Sequence, residues 1–142
     1  MNSQDSAYTI KARIVIHGFE CFPDYITSII GVNPSKVWRQ GDKVHPKAIN
    51  QHKENGWLLS SPSEEANSSV DEQVRALSEI VLPRIDNFMK LPEGAETELS
   101  FIVRAYEYMP SISFSLDTIS FLSRLKASVD IDVYDLTDEE DE

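Results

Sequence analysis

The sequence predicts a two-layer α+β domain, with a mainly antiparallel sheet and its helices on one face. Three observations carry that expectation. Two long stretches alternate apolar and polar residues with the period of a half-buried strand. One apolar stripe recurs at three and four residues from Val70 to Met89, the period of a helix. Turn residues divide the chain into strand, helix, strand, strand, helix, strand, followed by strand, helix, strand. The first six elements follow the split βαβ plan of ferredoxin-like folds, and the last three form a C-terminal βαβ extension.

The first strand spans 8–17, with Ile10, Ala12, Ile14 and Ile16 on one face and Thr9, Lys11, Arg13 and Val15 on the other. After Gly18, Pro23 suits a first helical turn and Asp24 its positive end. Phe22, Ile26, Ile29 and Ile30 then share a face until Gly31 stops the helix. A strand at 36–40 carries Trp38, and one at 56–60 carries Trp57, Leu58 and Leu59. The polar stretch 41–55 between them is an exposed loop, so the two strands form a long-looped hairpin. The segment 60–69 is a linker. Ser69 and Glu72 fit a capping box that opens the main helix, whose stripe is Val70, Val74, Leu77, Val81, Ile85 and Phe88 or Met89. Pro83 removes the N–H that would bond the carbonyl of Glu79, so a kink or two segments are expected there.

The stretch 98–108 alternates again, with Leu99, Phe101, Val103 and Ala105 on one face. Met109 and Pro110 turn the chain into a short strand at 111–114, expected to pair with it. Ser115 caps the last helix, Phe114 is placed to staple onto Ile119, and Ile119, Leu122 and Leu125 form the buried face. In 129–133 the apolar residues are expected inward, with Asp130 and Asp132 outward. One domain, 1–136, and an acidic disordered tail, 137–142, complete the chain.

With 142 residues, 41% of them hydrophobic, the chain can fill one core without disulfides or metal. Met1 to Ala7 lack a basic and apolar leader pattern and no apolar run is long enough for a membrane span, so a cytoplasmic location is expected. The single Cys21 agrees with a reducing compartment. The formal charge is -11, and residues 135–142 hold six of the 24 acids and no base, leaving 18 acids against 13 bases for the rest. Such a field disfavours nucleic acid and anionic lipid and favours a basic protein partner.

No constellation carries chemistry. His17 and Cys21 lie four apart, but no helix aligns them and no third group orients them, so no catalytic residue is expected. His45 and His52 lack any zinc-type spacing. Asp130, Asp132 and Asp135 lack the glycine of a calcium loop, so neither metal nor cofactor is expected. There is no glycine-rich phosphate cradle and no nucleophile elbow. Trp38 and Trp57 beside Arg39 would make an aromatic and cationic platform if both indoles faced outward; otherwise they fill core.

The run Ile30-Gly31-Val32-Asn33-Pro34, then Trp38, Gly41-Asp42 and Gly56-Trp57-Leu58-Leu59-Ser60, resembles family 4279 of the domains of unknown function, small and mostly bacterial. Phe114-Ser115-Leu116, Leu122, Leu125 and 129–134 extend the likeness over nearly the whole chain. The resemblance implies a single stand-alone domain of bacterial or phage origin, and it supplies no catalytic residues. Phe22 departs from it, standing where a polar helix cap is more usual.

The function expected first is a non-enzymatic protein-binding domain, an immunity-type inhibitor that covers the basic cleft of a toxin or nuclease. Trp38, Arg39, Trp57, Glu72, Glu79 and Asp86 are the candidate binding residues. The alternative is a small-molecule or peptide sensor with a pocket at the Trp38/Trp57 hairpin, walled also by Arg39 and Tyr106, with 41–55 as its lid. An acidic nucleic-acid mimic would use Asp71, Glu72, Glu79 and Asp86. Homodimerisation by sheet extension stays open.

Overall fold

The computed structural model describes residues 6–63 and 65–137. The elements are β1 (Tyr8–His17), α1 (Pro23–Ile30), β2 (Lys36–Trp38), β3 (Gly56–Ser60), α2 (Val70–Val81), a 3-10 segment (Leu82–Lys90), β4 (Glu96–Ala105), α3 (Leu116–Leu125) and β5 (Ser128–Asp135). The strands form one sheet in the order β2-β3-β1-β4-β5. Every neighbouring pair is antiparallel except β4 and β5, so the sheet is mixed but mostly antiparallel.

The alternation in β1 places Ile10, Ala12, Ile14 and Ile16 in the core beneath α2, while Lys11, Arg13, Val15 and His17 line the other, half-buried face. Leu99, Phe101 and Val103 of β4 and Trp57 and Leu59 of β3 complete the buried face of the sheet. Ile26, Ile30, Val74, Leu77 and Val81 meet them from the helices.

α1 starts at Pro23 and ends on Gly31, whose φ of 83° suits a residue without Cβ and whose N–H donates to the carbonyl of Thr27 at 2.8 Å. Phe22 does not join the buried face. It is the uncapped, extended residue before the helix and is exposed. The capping box of α2 is formed: the Glu72 N–H donates to Ser69 Oγ at 3.1 Å, and the Ser69 N–H donates to Glu72 Oε1 at 2.8 Å. At Pro83 the α-helical ladder stops and the stripe continues as 3-10 turns, interrupted by the non-helical backbone of Arg84. Ile85 and Phe88 remain buried and Met89 faces out.

Three expectations about the C-terminal third are corrected. Residues 111–114 form no strand, because both edges of β4 are taken, one by β1 and the other by β5. Phe114 instead packs edge-on against Phe101, with ring centroids 5.5 Å apart. α3 buries Thr118, Phe121, Leu122 and Leu125, while Ile119 is 50% exposed. The helix is turned because it packs against α2 and the 3-10 segment. Consequently, among the described residues, no helix buries β5, and Val129, Ile131 and Val133 are 42%, 38% and 47% exposed. The βαβ unit at the C-terminus is therefore β4-α3-β5, sharing β4 with the rest of the sheet. Apart from Thr137, the acidic tail lies outside the described residues. Among the described residues no helix is long and apolar enough to cross a membrane.

Candidate functional site

The hairpin register separates the two tryptophans. Val37 pairs with Trp57 and Trp38 with Gly56, so one residue of offset sends the indoles to opposite faces of the sheet. Trp57 is fully buried and its indole N–H donates to Thr27 Oγ1 at 2.9 Å. Trp38 lies on the other face, flat over Gly56, and stacks on His52 with centroids 4.8 Å apart. No shared aromatic platform exists.

The remaining candidates are also dispersed. Arg39 sits 4.3 Å from the Phe22 ring centroid, and its backbone N–H donates to Asp42 Oδ2 at 2.8 Å. Glu72 is engaged in the α2 cap. Glu79 on α2 and Asp86 on the 3-10 segment are exposed.

Beside Trp38 an open cleft of about 320 Å³ is lined by Val15, His17, His52, Lys53, Glu54 and Glu98. His17 lies between two carboxylates, with Nδ1 3.2 Å from Glu54 Oε2 and Nε2 3.9 Å from Glu98 Oε1. Such an imidazole is oriented on both sides, but Cys21 packs partly buried against the core and joins no hydrogen bond with it. Among the described residues no group of three or more His, Cys, Asp or Glu side chains could hold a metal ion.

The 41–55 loop is tied down. The Gly41 N–H donates to the His52 carbonyl at 2.9 Å and the His52 N–H to the Asp42 carbonyl at 2.7 Å. Asn55 Nδ2 donates to the carbonyls of Phe19 and Cys21, both at 3.0 Å, and its Oδ1 accepts from the Gln40 N–H at 2.7 Å. These bonds make an irregular, closed hairpin rather than a free lid.

A further exposed surface is β5. It ends the sheet, so among the described residues one side of its backbone has no neighbouring strand, and all eight of its residues are exposed. Val129, Ile131 and Val133 form a row on the helix side, in register with Leu99, Phe101 and Val103 of β4. Asp130 and Asp132 form the opposite row, beside Tyr134, whose ring lies 5.4 Å from the Arg104 guanidinium carbon. Alternation in the sequence shows these two rows; only the docking of α3 shows that the apolar one is uncovered.

A family model described as Domain of unknown function (DUF4279) matches residues 7–136. No curated protein and no solved structure matches the chain.

Proposed function

The chain belongs to this family of domains of unknown function, and from that premise, which brings no activity with it, we propose a non-enzymatic protein-binding domain whose binding element is β5. In this reading it is an immunity-type inhibitor in the bacterial cytoplasm that captures a basic toxin or nuclease. The strand order β4-β1-β3-β2 supports a ferredoxin-like core, to which α3 and β5 add the binding edge.

The observation that carries the reading is the unpaired β5 edge with its two chemically distinct rows. An extended partner segment adding to this edge would gain main-chain hydrogen bonds. Alternate side chains would meet Val129, Ile131 and Val133 on one face and Asp130 and Asp132 on the other. A segment alternating apolar with Lys or Arg residues fits both rows. A second copy fits worse: antiparallel self-pairing centred on Ile131 sets Asp130 opposite Asp132 twice, and pairing centred on Asp132 sets it against itself. The net charge of -11 steers a cationic partner inward.

The other readings have less behind them. A sensor pocket at the hairpin lacks Trp57 as a wall, and its lid is tied by hydrogen bonds. A nucleic-acid mimic would have to rely on Glu72, whose carboxylate is engaged in the α2 cap.

The test uses a labelled peptide of alternating Lys and Val, followed by fluorescence anisotropy. It should bind, weaken as salt rises, and lose its affinity for the double variant Asp130→Lys, Asp132→Lys; a Glu and Val analogue should not bind. A Lys and Val peptide that ignores the protein, or binds the variant as tightly as the natural chain, refutes the assignment to β5.

A further inference from the structure

The chain holds six arginines, and four of them have a defined task in the fold. Arg13 Nη2 donates to Ser100 Oγ at 2.9 Å, and Arg84 Nε donates to the Gly31 carbonyl at 3.1 Å. Arg39 lies over the Phe22 ring and Arg104 over that of Tyr134. The other two, Arg75 on α2 and Arg124 on α3, make no side-chain hydrogen bond or ring contact among the described residues, and Arg75 feels only the charge of Asp71, one turn before it on α2. Both line the same groove between α2 and α3, a space of about 410 Å³.

The rest of the groove suits a ligand with two characters. Its floor includes Val74 and Phe121, both buried, and the partly exposed Leu82 extends it. Ser120 contributes a hydroxyl from α3, whereas the Ser78 hydroxyl already donates to the Arg75 carbonyl at 2.9 Å. Two guanidinium groups from separate helices, a hydroxyl beside them and an apolar floor are the elements of a small-molecule site for an oxyanion with an apolar body. The acids in the groove do not cancel it. Asp71 already accepts hydrogen bonds from Thr118 Oγ1 at 2.6 Å and the Ser115 N–H at 3.1 Å. Asp117 is seven residues from Arg124 on α3, roughly 10 Å along the helix. The acidity of the rest of the chain is screened beyond about 8 Å at physiological salt, so the charges that line the groove decide at contact.

We propose that the α2/α3 groove binds a small organic oxyanion, its charged group between Arg75 and Arg124 and its apolar part on Val74, Phe121 and Leu82. This site is independent of the β5 edge, and nothing in the binding of a basic segment there requires it.

Calorimetric titration of the whole chain with phenyl phosphate and with benzoate tests it, with benzyl alcohol as the uncharged probe and inorganic phosphate as the probe without an apolar body. At least one aromatic anion should bind, more tightly than either control, and the stronger of the two identifies the oxyanion as phosphate or carboxylate. Arg75→Gln and Arg124→Gln should each weaken it about tenfold or more, while Arg104→Gln should leave it unchanged. Among the described residues neither groove arginine makes a side-chain hydrogen bond, and unfolding curves will verify that both variants remain folded, Arg75→Gln included, which deprives Asp71 of that charge. Absence of binding by both aromatic anions, inorganic phosphate binding equally well, or affinity unchanged in both groove variants overturns the site.

Discussion

Replacing Gly56 by alanine should destabilise the protein only because of Trp38. A Cβ at Gly56 would overlap the indole of Trp38, whose ring lies directly on the glycine. The backbone there is not in the left-handed region, so alanine itself meets no conformational strain. Without the indole, Gly56→Ala would restrict the unfolded chain and stabilise the fold by about 0.4–1 kcal/mol. With it, the ring must shift or leave its stack on His52, an overpacking cost of about 1–3 kcal/mol. The single variant should therefore lose about 1–2 kcal/mol net, and the same change in a Trp38→Ala background should have the opposite sign. Urea unfolding of the four proteins of this double-mutant cycle measures the coupling directly. If Gly56→Ala costs the same with and without the indole, the contact between Trp38 and the sheet is not what glycine serves.

Trp57→Phe should cost about 2–3 kcal/mol, because it leaves a void in the core and deprives the Thr27 hydroxyl of its donor. A denaturation midpoint close to that of the natural chain would contradict the burial. Asp71 should give an acid-dependent term: the Thr118 hydroxyl, chiefly, and the Ser115 N–H hold its carboxyl below its ordinary value. A lowered folded value means the contribution is complete above the unfolded carboxylate pKa of about 3.9 and is lost as pH falls through the folded value. Asp71→Asn should thus be less stable at neutral pH, by about 1 kcal/mol at this partly exposed site, with the gap closing below about pH 4. Thermal unfolding across pH checks it, and a gap independent of pH would show that the charge is not involved.

Much of the fold was legible because it rests on local physics. The alternation in 8–17, the Ser69 and Glu72 box and the break at Pro83 each act within a few residues, and each is found where the sequence puts it. The hairpin through Trp38 and Trp57 was legible too, but not the faces of its indoles, which depend on a register set by pairing. In α3 two sets of residues at helical spacing compete, one through Ile119 and one through Thr118 and Phe121. The polar grip of Asp71 on Thr118 favours the second. That rotation leaves β5 exposed and sets Arg124 in the wall of the groove that Arg75 also lines. Periodicity tells which residues share a face; it carries no signal for what lies opposite.

The way α3 is held has a consequence for how the molecule opens. α3 and β5 follow one another in the chain, and their attachment combines one helix face, a carboxylate cap and a single strand pairing on β4. β1, by contrast, has strands on both sides and a helix above. The C-terminal pair should thus open as a cooperative unit at lower free energy than the central strand β1. In native-state hydrogen exchange the amides of β5 should exchange together with those of α3 and well ahead of β1. A strand added to β5 would slow the whole unit at once, protecting a helix that the added strand never touches.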